Sequence, residues 1–105
     1  MRGPSFPEAV ATVVSALGRG ELASYGQIAA RAGRPGAARA VGSVLAGSQN
    51  LPWWRVVRAD GRLAAPGPAL QARLLRAEGI IVRWGRVSDP GTVARLRPGA
   101  LEGEP

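Results

Sequence analysis

Two short helical periods separated only by Gly33-Arg34-Pro35-Gly36 restrict this chain more than any other feature of its sequence. Ser24 and Gln27 have the spacing of a capping box, in which the serine oxygen accepts from the third helical amide and the glutamine reaches back. The helix they open runs through Ile28 and Ala29 to Ala32, where Gly33 offers a left-handed C-cap. After the Arg-Pro-Gly turn, the spacing predicts a further helix over 37–46, with Val41, Val44 and Leu45 on its buried side and Gly47 at its end. Two helices joined this tightly form a helix-turn-helix unit.

The flanks fit around that unit. Ser5 with Glu8 makes another capping box, Pro7 sits in the first turn where its missing N–H is harmless, and Phe6, Val10, Val13, Val14 and Leu17 recur at helical spacing, so a helix is expected over 5–18. Beyond residue 54 the period changes from 3.6 to 2. Arg55-Val56-Val57-Arg58 and Arg62-Leu63-Ala64 flank Ala59-Asp60-Gly61, and Asp-Gly is a favoured pair for a tight hairpin, which reads as a wing. Pro66-Gly67-Pro68 interrupts the chain. A helix over 69–78 follows, with Leu70, Leu74 and Leu75 on one face and Gly79 at its end, and Ile80-Ile81-Val82 is expected to pack back on the core. From Arg83 onward the pattern is weak, and residues 98–105 are expected to be disordered. The expected architecture is one domain over 1–97, mainly α with a small β-hairpin, of winged helix-turn-helix type.

Composition narrows the chemistry. Within 105 residues there is no cysteine and no histidine, which removes disulfides and thiolate metal sites and leaves seven carboxylates as the strong ligands for a metal. Neither a metal nor a cofactor is expected. No apolar run approaches the ~20 residues of a membrane span, and the first residues lack the apolar stretch of a signal sequence, so a cytoplasmic protein without a membrane partner is expected. The net charge of +7 favours a polyanion, yet all fourteen basic residues are arginine in an Ala-, Gly- and Pro-rich chain, as a GC-rich genome writes at indifferent surface positions. Placement favours DNA, because Arg31, Arg34 and Arg39 fall in the helix-turn-helix unit, where phosphates would lie.

Helix 37–46 turns composition into mechanism. A helix that reads the major groove presents Asn, Gln, Arg or Glu to base edges. Apart from Arg39 and Ser43, this one exposes Ala37, Ala38, Ala40, Gly42, Ala46 and Gly47, which suits close backbone approach to DNA rather than sequence reading. One arginine projecting from a smooth helix is what a minor-groove binder needs to fill the gap left by an extruded base; a solvated surface arginine is the plainer alternative. Tyr25 reads on its own as half-buried packing, and Ser24 as a cap whose helix amides add partial positive charge. Pro52 disfavours a helical Leu51, so an extended Trp53 and Trp54 are expected, one facing the core and the other a cavity.

Taken in order, Ser24-Tyr25-Gly26-Gln27-Ile28-Ala29, the segment from Gly33 to Gly42, and Pro52-Trp53-Trp54-Arg55-Val56 resemble the DNA-binding domain of the O6-alkylguanine-DNA alkyltransferases, over residues 5–82. In those enzymes the last motif reads Pro-Cys-His-Arg-Val, and the cysteine, activated by the histidine, takes the alkyl group from the damaged base. Here Trp53 stands in the cysteine slot and Trp54 in the histidine slot. A tryptophan in the cysteine slot marks the alkyltransferase-like proteins, which resemble the enzymes but bind the lesion without repairing it. The resemblance implies that Arg39 is the finger, Tyr25 crowds the phosphate beside the target nucleotide, Trp53 walls the lesion pocket, Val56 shapes its floor and Arg55 anchors the segment, so that Tyr25, Trp53, Arg55, Val56 and Arg62 make up the expected lesion pocket. Alkyltransferase-like proteins cap the flipped base with an arginine after the wing; residues 64–68 offer none, and Arg62 is the nearest candidate.

The expected function is therefore non-enzymatic recognition of O6-alkylguanine in duplex DNA by a monomer. Minor-groove contacts would come from Ser24, Tyr25, Arg34, Ala37, Ala38, Arg39, Gly42 and Ser43, and the resemblance implies hand-over to the proteins of nucleotide excision repair. Two other readings stand beside it. A winged-helix transcriptional regulator would share the fold and charge but would dimerise on a palindrome. A protein-interaction module would keep the core without needing Tyr25, Arg39 and Trp53 together.

Overall fold

The computed structural model describes residues 3–64 and 67–87, and the expected tail lies outside them. In chain order the elements are α1 (Phe6–Ser15), β1 (Ala23–Ser24), α2 (Tyr25–Arg31), α3 (Ala38–Ala46), a single 3-10 turn (Trp53–Arg55), β2 (Val56–Val57), α4 (Pro68–Ala77), β3 (Val82–Arg83) and β4 (Arg86–Val87). The protein is mainly helical, with two small two-stranded sheets.

Both capping boxes form. Ser5 Oγ accepts from the Glu8 amide at 3.2 Å while Glu8 Oε1 accepts from the Ser5 amide at 2.8 Å. Ser24 and Gln27 repeat the exchange at 3.1 and 2.8 Å. Each box satisfies two amides that a helix start leaves without partners, a gain of about 1 kcal/mol for the cap residue. Gly33 stops α2 at φ +93 and Gly36 completes the turn at φ +87, backbone that a Cβ would strain. α1 ends at Ser15, short of the expected 18, though Leu17 is still buried.

Two apolar clusters lie on opposite sides of the parallel pair β1–β2, whose register matches Ala23 with Val56 and Ser24 with Val57. Alternation along a strand sends neighbours to opposite faces. Ala23 and Val56 accordingly join Val10, Val14, Ile28 and Val41 in the cluster formed with α1, α2 and α3. Leu22 and Val57 join Leu75, Val82 and Val87 in the cluster under α4. Gln71, fully buried, ties α4 to this wall by donating from Nε2 to the carbonyls of Trp54 and Val56 at 3.2 and 2.9 Å.

Three local expectations are corrected. Val56-Val57 does not pair with 62–64 in a hairpin: both valines are buried, as in a strand covered on two faces, Val56 by the α1–α3 cluster and Val57 by the α4 cluster, and the strand's edge pairs with β1. The Asp60-Gly61 turn does form, with Arg58 and Gly61 amides donating to Arg62 and Arg58 carbonyls at 3.0 and 2.8 Å, but its far limb pairs onward to 85–87. The hairpin is instead β3–β4, turned by Trp84 at φ 56 and Gly85 at φ 71. Two successive left-handed residues suit the right-handed twist of a tight hairpin. Finally, Ile81 is 59% exposed and does not share the packing of Ile80 and Val82.

Candidate nucleic-acid interface

The tryptophan pair sits where the two clusters meet. Trp53–Arg55 is a 3-10 turn rather than the extended segment expected from Pro52, and its amides are satisfied locally: Arg55 N–H donates to the Pro52 carbonyl at 3.0 Å and Val56 N–H to that of Trp53. An extended run would have needed a partner strand for the same groups. With three residues per turn, successive side chains still diverge. Trp53 packs against the α1–α3 cluster and Trp54 against the α4 cluster, their rings 6.0 Å apart and at 88°.

An open cleft of about 1130 Å³ lies on the Trp53 side. Tyr25 and Gly26 from the start of α2, Ala38, Arg39, Gly42 and Ser43 from α3, and Trp53 line it together. The capping box at Ser24 puts Tyr25 on the first turn of α2, and Gly42 of α3 lies beside it, where a Cβ would make an ordinary contact of 3.9 Å with Tyr25 Cε1. Burial pushes the Tyr25 phenol above its usual pKa, against the opposing charge of Arg58. The hydroxyl is therefore neutral at physiological pH and available to donate. Arg39 and Ser43 are exposed at the rim.

Sequence reading missed the opposite wall. Arg58 and Ala59, which follow β2, together with Ala64, Gly67 and Leu70 at the start of α4, also line the cleft. Leu70 is 42% exposed. Its place on the apolar stripe of α4 concealed it, and only the packing of α4 against the 3-10 turn turns that residue toward the cleft.

Other expected site residues lie elsewhere. Ser24 is buried and its side chain is used by the cap. Arg34 stacks over the Phe6 ring at 4.9 Å, and Ala37 packs against the α1–α3 cluster. Three residues assigned to the lesion pocket do not line the cleft. Val56 is fully buried in the core. Arg62 is exposed and faces Asp60 at 3.4 Å. Arg55 donates from Nη2 to Glu78 at 2.8 Å and from Nη1 to the Leu17 carbonyl at 2.8 Å, a strut between the segments that follow α1 and α4, because a partly buried guanidinium is held where carboxylate and carbonyl acceptors converge. The Trp54 indole N–H donates to the same carboxylate at 2.8 Å. Among the described residues no group of acidic side chains could hold a metal, and no helix is long and apolar enough to cross a membrane.

The profile of the family described as 6-O-methylguanine DNA methyltransferase, DNA binding domain, matches residues 5–80. The chain belongs to that family. Within it, the chain is 43% identical over 83 residues to a DNA base-flipping protein of Escherichia coli (strain K12), an alignment covering 74% of this chain and 64% of that protein. A DNA base-flipping protein of Vibrio parahaemolyticus is 38% identical over 87 residues, covering 78% and 82%. Among solved structures, S. pombe Atl1 in complex with damaged DNA containing O6-carboxymethylguanine superposes with a TM-score of 0.77 at 26% identity, covering 88% of this chain and 96% of that one. The O6-methylguanine methyltransferase of Mycobacterium tuberculosis gives a TM-score of 0.63 at 36% identity, over 73% of this chain and 50% of that one. This family member therefore shares the helix-turn-helix fold of both the transferases and the alkyltransferase-like proteins.

Proposed function

We propose that this protein recognises O6-alkylguanine in duplex DNA by turning the damaged nucleotide out of the helix into the cleft beside Trp53. The observation that carries the reading is the convergence of Tyr25, Arg39 and Trp53, from three separate elements, on that one cleft. α3 enters the minor groove, its small residues allowing close approach, and Arg39 occupies the space vacated by the extruded base. Tyr25 donates to the phosphate beside the flipped nucleotide. The flat face of Trp53 holds the alkylated purine by stacking.

Binding proceeds without alkyl transfer. The alkyl acceptor of the family's enzymes is a cysteine thiolate, and the 105 residues contain no cysteine. Relatives named for base flipping, and a structural neighbour bound to DNA with an O6-alkyl lesion, favour the same reading. A bound, unrepaired lesion is also the state that would be handed to nucleotide excision repair; the support for that step is family resemblance. The protein acts as a monomer, since recognition of one flipped base needs no two-fold partner.

A gel shift tests the reading. At one salt concentration an O6-methylguanine duplex is expected to bind more tightly than its unmodified twin, because the modified base pairs poorly and costs less to unstack. Equal affinity for the two duplexes would sink it.

A further inference from the structure

The β3–β4 hairpin ends in a residue that the cleft does not explain. Trp84 is 98% exposed and adopts φ 56, a left-handed conformation that bulky side chains avoid. Asparagine or glycine would make this turn with less strain, and such exposure leaves the indole without packing among the described residues to offset the cost. Cations surround it. Arg83 and Arg86, paired in register across the hairpin, are both exposed, and Arg62 is joined to Arg86 by an antiparallel bridge. Among the described residues Glu8 caps α1, Glu21 accepts from the Gly18 amide and Glu78 holds Arg55 and Trp54, all away from the tip, and Asp60, which faces Arg62 and feels the charge of Arg86, is one carboxylate beside three arginines.

The hairpin is also fastened to the rim of the cleft. The Leu63 amide donates to the Gly85 carbonyl at 2.9 Å, the next residue, Ala64, lines the cleft, and so do Arg58 and Ala59 at the other end of the same turn. A basic, aromatic tip continuous with a nucleotide cleft fits a polyanion with flat apolar surfaces between its charges. A mixed-charge protein face would be expected to meet a more even balance than one carboxylate, Asp60, beside Arg62, Arg83 and Arg86.

We infer that the β3–β4 hairpin is a second DNA contact, with Arg83 and Arg86 on phosphates of the strand beyond the cleft and Trp84 laid against the deoxyribose between them. This inference rests on the reading that the cleft holds a nucleotide of duplex DNA. It extends the footprint past α3 and adds affinity that does not depend on the lesion.

The test measures binding of unmodified and O6-methylguanine duplexes by fluorescence anisotropy across a salt series. Trp84→Asn removes the indole while keeping a residue that accepts the left-handed turn, so its melting temperature is expected to equal or exceed the parent's. Its affinity for both duplexes is expected to fall about fivefold or more with the salt slope unchanged. The double variant Arg83→Gln with Arg86→Gln is expected to weaken both duplexes about tenfold at roughly 100 mM salt and to lower the salt slope by about 1 to 2. Parent-like affinity and slope for the unmodified duplex in both variants would overturn the inference and assign the tip to a protein or to the chain itself. The two readings fail separately. Loss of lesion preference in the parent with intact hairpin effects removes only the flipping mechanism, whereas retained preference with silent hairpin variants removes only this contact.

Discussion

The Trp54 indole N–H and the Arg55 guanidinium converge on one oxygen of Glu78, each at 2.8 Å. The other oxygen accepts from the Gly20 amide at 2.9 Å. Burial opposes the charge on Glu78, but the hydrogen bonds from Arg55, Gly20 and Trp54 and the charge of Arg55 outweigh it and hold the carboxyl at about 2. This carboxylate joins the segment before β1, the 3-10 turn and the end of α4, and it fixes Trp54 and Arg55, the two residues that follow Trp53 in that turn.

Acid should therefore loosen the protein. The folded pKa of Glu78 lies below its unfolded value of 4.5, so the unfolded state binds the proton first on acidification. The contribution is fully present above pH 4.5 and is lost as pH falls toward 2. Thermal melts followed by circular dichroism between about pH 6 and pH 2 should show that loss, of the order of 2 to 3 kcal/mol. Glu78→Gln should be destabilised by about 3 kcal/mol at neutral pH, with Arg55 left without its charge partner, and should show a flatter acid limb. An unchanged acid limb in that variant would remove Glu78 from the account.

The same geometry predicts how transferase chemistry could be tested in this cleft. Trp53→Cys supplies a thiol, but with tryptophan at 54 it keeps a pKa near ~8.5 and transfers a methyl group slowly or not at all. Adding Trp54→His places an imidazole whose N–H can donate to Glu78, as the indole does now, leaving its other nitrogen as a base. The double variant should outpace the single one in a radiolabelled methyl-transfer time course. Equal rates would mean that position 54 does not address the thiol at 53. Lesion affinity should drop in Trp53→Cys; retention of both affinity and preference would make Trp53 a core residue only.

Arg39 and Arg34 should separate cleanly. Arg39 lines the cleft, whereas Arg34 is exposed over Phe6. Arg39→Ala is expected to cost on the order of 1 to 3 kcal/mol of lesion binding and to reduce the preference for damaged DNA. Arg34→Ala should weaken all duplexes alike and reduce the salt slope. A fluorescent base analogue at the target position reads flipping directly, and an undiminished signal in Arg39→Ala would refute the finger.

Gly61 should tolerate no side chain. Its φ is +89, and an added Cβ would meet Val87 Cγ2 at 2.9 Å and the Val87 carbonyl oxygen at 3.3 Å. Gly61→Ala is expected to lose about 2 kcal/mol from strain and overlap together, seen as a lowered melting temperature. Because the turn carries Arg58 and Ala59 to the cleft, DNA affinity should fall with it. A stability equal to the parent's would mean that β4 can shift away at no cost.

Local chemistry made much of this legible in advance. Ser5 with Glu8 and Ser24 with Gln27 announce helix starts because a cap is satisfied within four residues, and Gly33 announces a stop because only its own backbone must turn. The motif order brought Tyr25, Arg39 and Trp53 into one candidate site, and the fold does gather them on one cleft. Val56 and Val57 were harder to read. Two adjacent valines say that both faces of a strand are covered, but not that its partner strand is Ala23-Ser24, more than thirty positions earlier. The resemblance implied that Arg55 anchors its segment, but not to what, since its partners Leu17 and Glu78 lie 38 and 23 residues away.

The sequence by itself determined the capped helix starts, the helix-turn-helix unit, the charge and the absence of a thiol, because each depends on neighbours along the chain or on composition alone. Tertiary structure decided the parallel β1–β2 wall, the division of Trp53 and Trp54 between two cores, the burial of Arg55 against Glu78, and the turn of Leu70 and Arg58 toward the cleft. Those outcomes depend on which distant surfaces bury each other best. That choice is made by packing and hydrogen-bond satisfaction across the whole fold, and no local pattern encodes it.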